Sequence, residues 1–283
     1  MITSIKAVVT DIDKTLTKKG GDLPAVTIQA FQKLHEQGIK VGLATGREID
    51  STIRNQGMKW GLGFEFDFVI GMNGGALYNL RTDTTWEVPF MSSEHVYEIM
   101  IWMKPLIEKY KFAVNAEGGN NRSVMYLQGE LVTFEKRHGY ALIDKTGDYE
   151  GFCKEPTFKI LFRAKPEQEV EVRTRFLSKF NETDQLIGTY PGTVEAMPKG
   201  FDKGTTLKKY AQEEGIDLSE IIAFGDSEND NSLLKMAGWG VCLKDGSVDT
   251  KECADDITEY SYLDAGVGRY LYDHYINVRC PRS

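Results

Sequence analysis

Two short apolar runs, more than two hundred residues apart, each end in a cluster of acidic residues. The first run, residues 5–10, leads into Asp11, and the second, residues 221–224, leads into Asp226. Both runs are rich in β-branched residues, which is typical of buried parallel strands. In open α/β sheets, functional groups gather beyond the carboxyl ends of the strands. The two acidic clusters are therefore predicted to meet at one edge of a single sheet.

Strands and helices alternate at the start of the chain. After the first strand, residues 24–37 predict a helix that lies between a first-turn proline and a closing glycine. A second strand is predicted at residues 39–44, a helix at 45–56 and a third strand at 67–70. Successive strand–helix–strand units produce a right-handed parallel sheet. The predicted fold class is α/β, with a doubly wound, mainly parallel, Rossmann-like core sheet.

The alternation stops near residue 84. A long helix is predicted from about Ser92, interrupted or kinked at Pro105, and short strands follow, such as residues 158–163. A further helix is predicted at residues 166–180, with Val170 among the residues at helical spacing. This pattern of helices and short strands indicates an inserted α+β domain.

The strand–helix rhythm returns at Lys203, where a helix is predicted to run to Glu214. The strand into Asp226 follows, and a last strand is predicted at residues 239–243. We therefore predict two domains. Residues 1–83 and 191–283 form a discontinuous core, and residues 84–190 form the insert.

The carboxylates at the predicted sheet edge suit phosphoryl transfer. Asp11 can attack phosphorus and carry the phosphoryl group as an acyl phosphate. Asp13, two residues on, can protonate the departing alcohol and later take a proton from water. Clustered carboxylates stay ionised beside a cation, and their hard oxygen atoms suit Mg²⁺. Mg²⁺ between Asp11 and Asp226 would shield the anionic nucleophile from an anionic substrate.

Phosphate-binding groups are predicted at the same edge. The second strand ends at Thr45 and Gly46, Lys203 opens a helix, and Asn229 follows the strand near residue 224. These side chains offer a hydroxyl, an ammonium and an amide donor to the nonbridging oxygens of a phosphoryl group.

The chain resembles the haloacid dehalogenase (HAD) superfamily, and within it the Cof-like phosphatases that carry a large type II cap. The resemblance covers nearly the whole chain and includes four motifs in order: Asp11-Ile12-Asp13-Lys14-Thr15-Leu16, Ala44-Thr45-Gly46-Arg47, Phe201-Asp202-Lys203-Gly204 and Gly225-Asp226-Ser227-Glu228-Asn229-Asp230. It implies that the insert is a cap that sets substrate specificity.

The resemblance also implies residue roles. Asp11 is the implied nucleophile, and Asp13 is the implied acid/base, whose backbone carbonyl contacts the metal. Asp226 is an implied metal ligand, and Asp230 either joins the metal shell or orients Lys203. The remaining implied roles belong to the phosphate-binding residues Thr45, Gly46, Lys203 and Asn229.

Two motif residues have no settled role. Lys14 stands where the commonest family residue is glycine, and a lysine there could add positive charge near the entrance. Arg47 is predicted either to touch the substrate or to pair with an acidic neighbour.

The overall charge and composition exclude several functions. A formal net charge of −8 makes nucleic acid an unsuitable partner, because binding its backbone needs a basic face. No apolar run is long enough for a membrane span, and the N-terminus lacks the pattern of a secretory signal, so a cytoplasmic location is predicted. Four scattered cysteines indicate neither disulfides nor a zinc site.

The predicted function is a Mg²⁺-dependent phosphatase acting on a small phosphorylated metabolite through an aspartyl-phosphate intermediate. Sugar phosphates are the first substrate class, and phosphorylated cofactors such as pyridoxal phosphate or flavin mononucleotide are the next. Two alternatives are a phosphosugar mutase that resembles phosphomannomutase, and a phospholigand-binding protein without turnover. The oligomeric state is left open.

Overall fold

The computed structural model describes residues 4–119, 121–129 and 142–277. The chain divides into two compact units. The first contains Met1–Val88 and Phe201–Ser283, and the second contains Pro89–Gly200. Each unit has its own sheet and its own buried apolar core.

The strands are numbered in chain order within the described residues. Their bounds are β1 Ala7–Thr10, β2 Lys40–Ala44, β3 Phe68–Gly71, β4 Ala76–Asn79, β5 Thr84–Glu87, β6 Ala113–Glu117, β7 Ser123–Met125, β8 Ile143–Asp144, β9 Lys159–Arg163, β10 Asp184–Tyr190, β11 Thr193–Pro198, β12 Ile221–Gly225, β13 Trp239–Cys242 and β14 Asp256–Ile257.

The α-helices of the described residues are numbered in the same way. Their bounds are α1 Ala25–Glu36, α2 Ser51–Arg54, α3 Gln56–Lys59, α4 Ser93–Tyr110, α5 Tyr149–Phe152, α6 Glu169–Phe180, α7 Lys203–Glu214, α8 Asn231–Met236, α9 Val248–Cys253 and α10 Gly266–Leu271.

The sheet of the first unit has the strand order β14-β13-β12-β1-β2-β3-β4-β5. The strands from β14 to β3 pair in parallel, and the hairpin strands β4 and β5 are antiparallel. β1 lies between β12 and β2, so the strands that precede the predicted motifs are neighbours. The predicted α/β fold class with a mainly parallel core sheet is confirmed.

Helices cover both faces of this sheet. One apolar core includes Phe31 of α1 and Leu271 of α10, and the other includes Leu207 of α7 and Leu234 of α8. The strands alternate between the two cores, since Val8 belongs to the first and its neighbours along β1 belong to the second. Burial on both faces explains why these strands are apolar runs and why functional groups are confined to their ends.

The second unit contains a six-stranded sheet with the order β10-β11-β9-β6-β7-β8. Met100 of α4 and Phe176 of α6 belong to the apolar core on one face of this sheet. The unit has the predicted α+β character. The units divide after Val88 and after Gly200, a few residues beyond the predicted boundaries at 84 and 190. The difference arises because β5 pairs with β4 in the first sheet, whereas β11 pairs with β10 and β9 in the second.

Two local predictions differ from the structure. The helix predicted at residues 45–56 is a loop followed by the one-turn helices α2 and α3, because the Asp50 side chain accepts hydrogen bonds from the amides of Thr52 and Ile53 and starts α2 there. Pro105 does not interrupt α4. It lies on the exposed face, where water can bind the carbonyl that a proline leaves without a helical partner.

Among the described residues, no helix is both long and apolar enough to cross a membrane. Three of the four cysteines, Cys153, Cys242 and Cys253, are free thiols. Cys280 lies outside the described residues.

Candidate active site

The nucleophile candidate Asp11 lies at the carboxyl end of the central strand β1. Its backbone amide donates to the carbonyl of Phe224 at 3.0 Å, which continues the pairing of β1 with β12. Its side chain is 9% exposed. Asp11 Oδ1 accepts a hydrogen bond from Lys203 Nζ at 2.7 Å. Strand pairing and this ion pair together fix the carboxylate in the sheet edge.

Lys203 is the fully buried cation of the site. It is the first residue of α7, and the Asp202 side chain caps that helix by accepting from the amide of Thr205. Besides Asp11, its ammonium donates to Asp230 Oδ1 at 2.5 Å. Burial alone would lower the pKa of Lys203, but the charges of Asp11 and Asp230 outweigh it and hold the pKa above its ordinary value. Lys203 is therefore charged throughout the physiological pH range.

Asp226 and Asp230 belong to the loop after β12. Asp230 Oδ2 accepts hydrogen bonds from the amides of Asp226 and Ser227, at 2.9 and 3.2 Å, and these two bonds stabilise the loop conformation. Asp226 Oδ1 accepts from the hydroxyl of Thr15 at 2.8 Å. Because one oxygen of Asp230 binds Lys203 and the other binds the loop amides, Asp230 fixes the position of the ammonium.

Asp11, Asp226 and Asp230 form a buried acidic cluster. One carboxylate oxygen from each lies within 4.8 Å of the others. Burial raises the pKa of Asp11 well above its ordinary value, Lys203 lowers it, and the nearby carboxylates raise it further. Burial, followed by the charge of Asp230, raises the pKa of Asp226 to about 7. When ionised, the three carboxylates carry more negative charge than Lys203 compensates, and their oxygen donors fit a divalent cation such as Mg²⁺.

The Asp13 carboxyl lies outside this cluster. It pairs instead with the guanidinium of Arg47, with Arg47 Nη2 at 2.6 Å from Oδ1 and 2.8 Å from Oδ2. Of the two roles predicted for Arg47, the structure shows the pairing with an acidic neighbour. Lys14, next to Asp13, has a left-handed backbone with φ 69° and an exposed side chain.

Thr45 and Gly46 lie at the end of β2, beside β1. Thr45 is 1% exposed, and its hydroxyl oxygen accepts from the amide of Arg47 at 3.2 Å. Asn229 lies on the loop after β12, and its side-chain amide donates to Asn73 Oδ1 at 3.0 Å. Thr45, Gly46 and Asn229 thus lie on loops at the same edge of the sheet as Asp11, which Lys203 contacts from the start of α7.

A loop that the sequence did not place in the site connects these elements. Asn73 is fully buried in a left-handed conformation, and its amide donates to the carbonyl of Thr45 at 3.0 Å. Gly74 follows with φ 103°, and a Cβ atom there would lie 2.1 Å from the backbone of Asp202. Only glycine permits this approach. The Asn-Gly-Gly turn sequence was a usable signal, because such turns favour left-handed residues, but it gave no indication of the partners.

The sequence matches the haloacid dehalogenase-like hydrolase family over residues 8–271, which include all four motifs. The chain belongs to this family. Residues of the family's motifs meet at the carboxyl edge of the first unit's sheet.

Relatives with assigned activities are similar over most of their length. The chain is 26% identical to 5-amino-6-(5-phospho-D-ribitylamino)uracil phosphatase YitU of Bacillus subtilis, covering 94% of this chain and 96% of the relative. It is 26% identical to a phosphoglycolate phosphatase of Methanospirillum hungatei, covering 91% and 92%. The family and these relatives identify the chain as a phosphoric monoester hydrolase of the haloacid dehalogenase superfamily.

The fold is also that of a solved member. The subclass IIB sugar phosphatase BT4131 superposes with a TM-score of 0.78 at 23% sequence identity, covering 95% of this chain and 98% of the other. The similarity includes both the core sheet and the inserted α+β unit, since nearly all of each chain is covered.

Proposed function

We propose that this enzyme hydrolyses the phosphomonoester of a small metabolite in two steps, through an aspartyl-phosphate on Asp11 and with Mg²⁺ as cofactor. The observation that carries the proposal is the buried Asp11 carboxylate, held by Lys203 beside Asp226 and Asp230. Lys203 binds Oδ1, which orients the other oxygen for attack on phosphorus. A carboxylate nucleophile divides one difficult hydrolysis into two easier steps.

Asp13 is the proposed acid and base. In the first step the Asp11 oxygen bonds to phosphorus, the bond to the alcohol oxygen breaks, and that oxygen takes the proton of the Asp13 carboxyl. In the second step water attacks phosphorus, its proton passes to the Asp13 carboxylate, and the bond from phosphorus to Asp11 breaks. Asp11 and Asp13 thereby return to their starting states.

The proposed metal site consists of Asp11, Asp226, the backbone carbonyl of Asp13, and Asp230. Oxygen donors of this kind are those that Mg²⁺ prefers. When bound, Mg²⁺ supplies positive charge that lets an anionic substrate approach the Asp11 carboxylate. Asp230 has both oxygens engaged in hydrogen bonds, so its contribution is chiefly the placement of Lys203 and of the loop that carries Asp226.

Four residues are proposed to hold the phosphoryl oxygens. Lys203 contributes a buried charge, and the Thr45 hydroxyl, which accepts one hydrogen bond, keeps its own hydrogen to donate. Gly46 has no side chain, so a phosphoryl group can approach its backbone closely. The Asn229 amide uses one hydrogen on Asn73 and has a second. Donors fixed before the reaction stabilise the transition-state charge without reorganising.

Sugar phosphates are the proposed substrate class, with phosphorylated cofactors as the next. The sugar phosphatase BT4131 shares the fold, whereas YitU and the phosphoglycolate phosphatase are named for other small phosphomonoesters. We propose that the inserted unit, Pro89–Gly200, is the cap that selects among such substrates.

The test is phosphate release from a panel of sugar phosphates, phosphorylated cofactors and nucleotides, measured with Mg²⁺, with EDTA, and after Mg²⁺ is restored. EDTA is expected to lower the rate at least about 10²-fold, because a catalytic metal contributes several kcal/mol to transition-state stabilisation. Restored Mg²⁺ is expected to recover the full rate.

Two results would contradict this proposal. Release that is insensitive to EDTA would remove the metal from the mechanism. Isomerisation of a sugar phosphate in the presence of a bisphosphate activator, with little free phosphate formed, would identify a phosphosugar mutase instead.

A further inference from the structure

Arg47 holds both oxygens of the proposed acid/base Asp13. Its Nη2 lies 2.6 Å from Asp13 Oδ1 and 2.8 Å from Oδ2, and its Nε lies 3.2 Å from Oδ2. The two residues are 34 positions apart and follow neighbouring strands, β1 and β2. A planar guanidinium that contacts both oxygens fixes the direction of the carboxyl as well as its distance.

The backbone of Arg47 is itself held on two sides. Its amide donates to the Thr45 hydroxyl at 3.2 Å, and its carbonyl accepts from the amide of Met72 at 2.8 Å. The side chains of Arg47 and Asp13 are only 28% and 18% exposed, so water screens the pair less than it would an open surface pair. The Arg47 backbone is therefore fixed, and its guanidinium binds the partly buried Asp13 carboxyl.

The position of Asp13 matters because three other carboxylates lie nearby. Asp11, Asp226 and Asp230 form the compact cluster, and the Asp13 carboxyl stays outside it. Without a counter-charge of its own, a fourth carboxylate would be repelled by the other three. Arg47 supplies that counter-charge and a defined orientation.

We propose that Arg47 is a positioning residue: it holds the Asp13 carboxyl in the orientation for proton transfer and does not bind the substrate. The inference rests on the proposed function, in which Asp13 gives its proton to the alcohol oxygen and regains one from water.

The role predicts a dependence on the leaving group. An alkyl phosphate releases a basic alkoxide and needs the proton from Asp13, whereas p-nitrophenyl phosphate releases a stable phenolate and does not. The specificity constant kcat/KM covers the steps up to departure of the alcohol, so it reports the first proton transfer. A loss of orientation at Asp13 should therefore appear as a change in the ratio of kcat/KM for the two substrates.

The experiment compares Arg47→Gln, Arg47→Lys and Asp13→Asn with the wild type on the best alkyl phosphate of the panel and on p-nitrophenyl phosphate. Arg47→Gln is expected to lower kcat/KM for the alkyl phosphate about 10- to 100-fold, part of what general acid catalysis contributes, and for p-nitrophenyl phosphate less than about threefold. Arg47→Lys is expected to show the same selectivity, because an ammonium keeps the charge but cannot bind both oxygens as a fork.

Arg81→Gln is the matched control. Arg81 Nε contacts both carboxylate oxygens of Glu214, at 2.8 and 3.0 Å, in the same unit. The Arg81 side chain is 57% exposed, whereas that of Glu214 is 7% exposed. Arg81→Gln is expected to leave both specificity constants unchanged.

Three outcomes would overturn the inference. Equal losses on both substrates with a raised KM would make Arg47 a phosphate ligand. A wild-type ratio in Arg47→Lys would show that charge alone is needed. A selective loss in Asp13→Asn without one in Arg47→Gln would leave the acid role of Asp13 standing and remove Arg47 from it. If Asp13→Asn itself shows no selective loss, the proposed function fails at Asp13, which is a separate result.

Discussion

Asp11→Asn is expected to lower phosphate release by on the order of 10⁴-fold or more while the protein stays folded, as expected when a nucleophile is removed. Asparagine has nearly the same shape as aspartate, and its carbonyl oxygen can still accept from Lys203. It lacks the negative charge that attacks phosphorus. The measurement is the steady-state rate on the best substrate of the panel, with circular dichroism to verify folding.

The same substitution separates catalysis from stability. Burial and the neighbouring carboxylates raise the pKa of Asp11, which means that its charged form is costly in this site. Asp11→Asn removes one of three clustered carboxylates, so in EDTA its free energy of unfolding is expected to equal or exceed that of the wild type. Wild-type turnover by this variant would exclude Asp11 as the nucleophile.

Lys203→Met is expected to lower the free energy of unfolding by about 3–5 kcal/mol, the usual consequence of removing one partner from a buried ion pair. Methionine fills a similar volume, so the loss arises mainly from charge. Asp11 Oδ1 and Asp230 Oδ1 would both lose their shared ammonium while remaining buried. The rate of phosphate release is expected to fall as well, because Lys203 is also a proposed phosphate ligand. Denaturant unfolding in EDTA measures the stability change directly.

Lys208→Met provides the control for Lys203→Met. Lys208 is on the same helix, α7, and its side chain is exposed. The expected change in unfolding free energy is within about 0.5 kcal/mol. Similar decreases in unfolding free energy for the two variants would mean that the buried charge of Lys203 stabilises the fold no more than an exposed lysine does. A stable Asp11→Asn beside an unstable Lys203→Met is the pattern that the buried cluster predicts.

That the motif strands belong to one sheet could be predicted, because each strand is short and apolar and is followed by a polar motif. Helix α7 was predicted at its observed bounds, since Asp202 caps its start and Gly215 adopts a left-handed conformation at its end. Local signals of this kind are properties of the sequence itself. They were sufficient to bring Asp11, Lys203 and Asp226 to one sheet edge.

Contacts between distant loops could be predicted only in part. The sequence left two roles open for Arg47 and gave no partner for Asn229. Their contacts with Asp13 and Asn73 depend on side-chain directions that only the folded loops define. The break after Thr45 and the intact helix through Pro105 also depended on context: a side-chain cap at Asp50 and the exposure of the proline face.

The central claim is that Asp11 carries the phosphoryl group during turnover. Its most direct test is rapid acid quenching of the enzyme during turnover of its best substrate, followed by mass spectrometry of the peptide that contains Asp11. The account predicts an added phosphoryl group on Asp11 that hydroxylamine removes and that is absent from Asp11→Asn. Turnover without this adduct at any quench time, or an adduct on another residue, would contradict it.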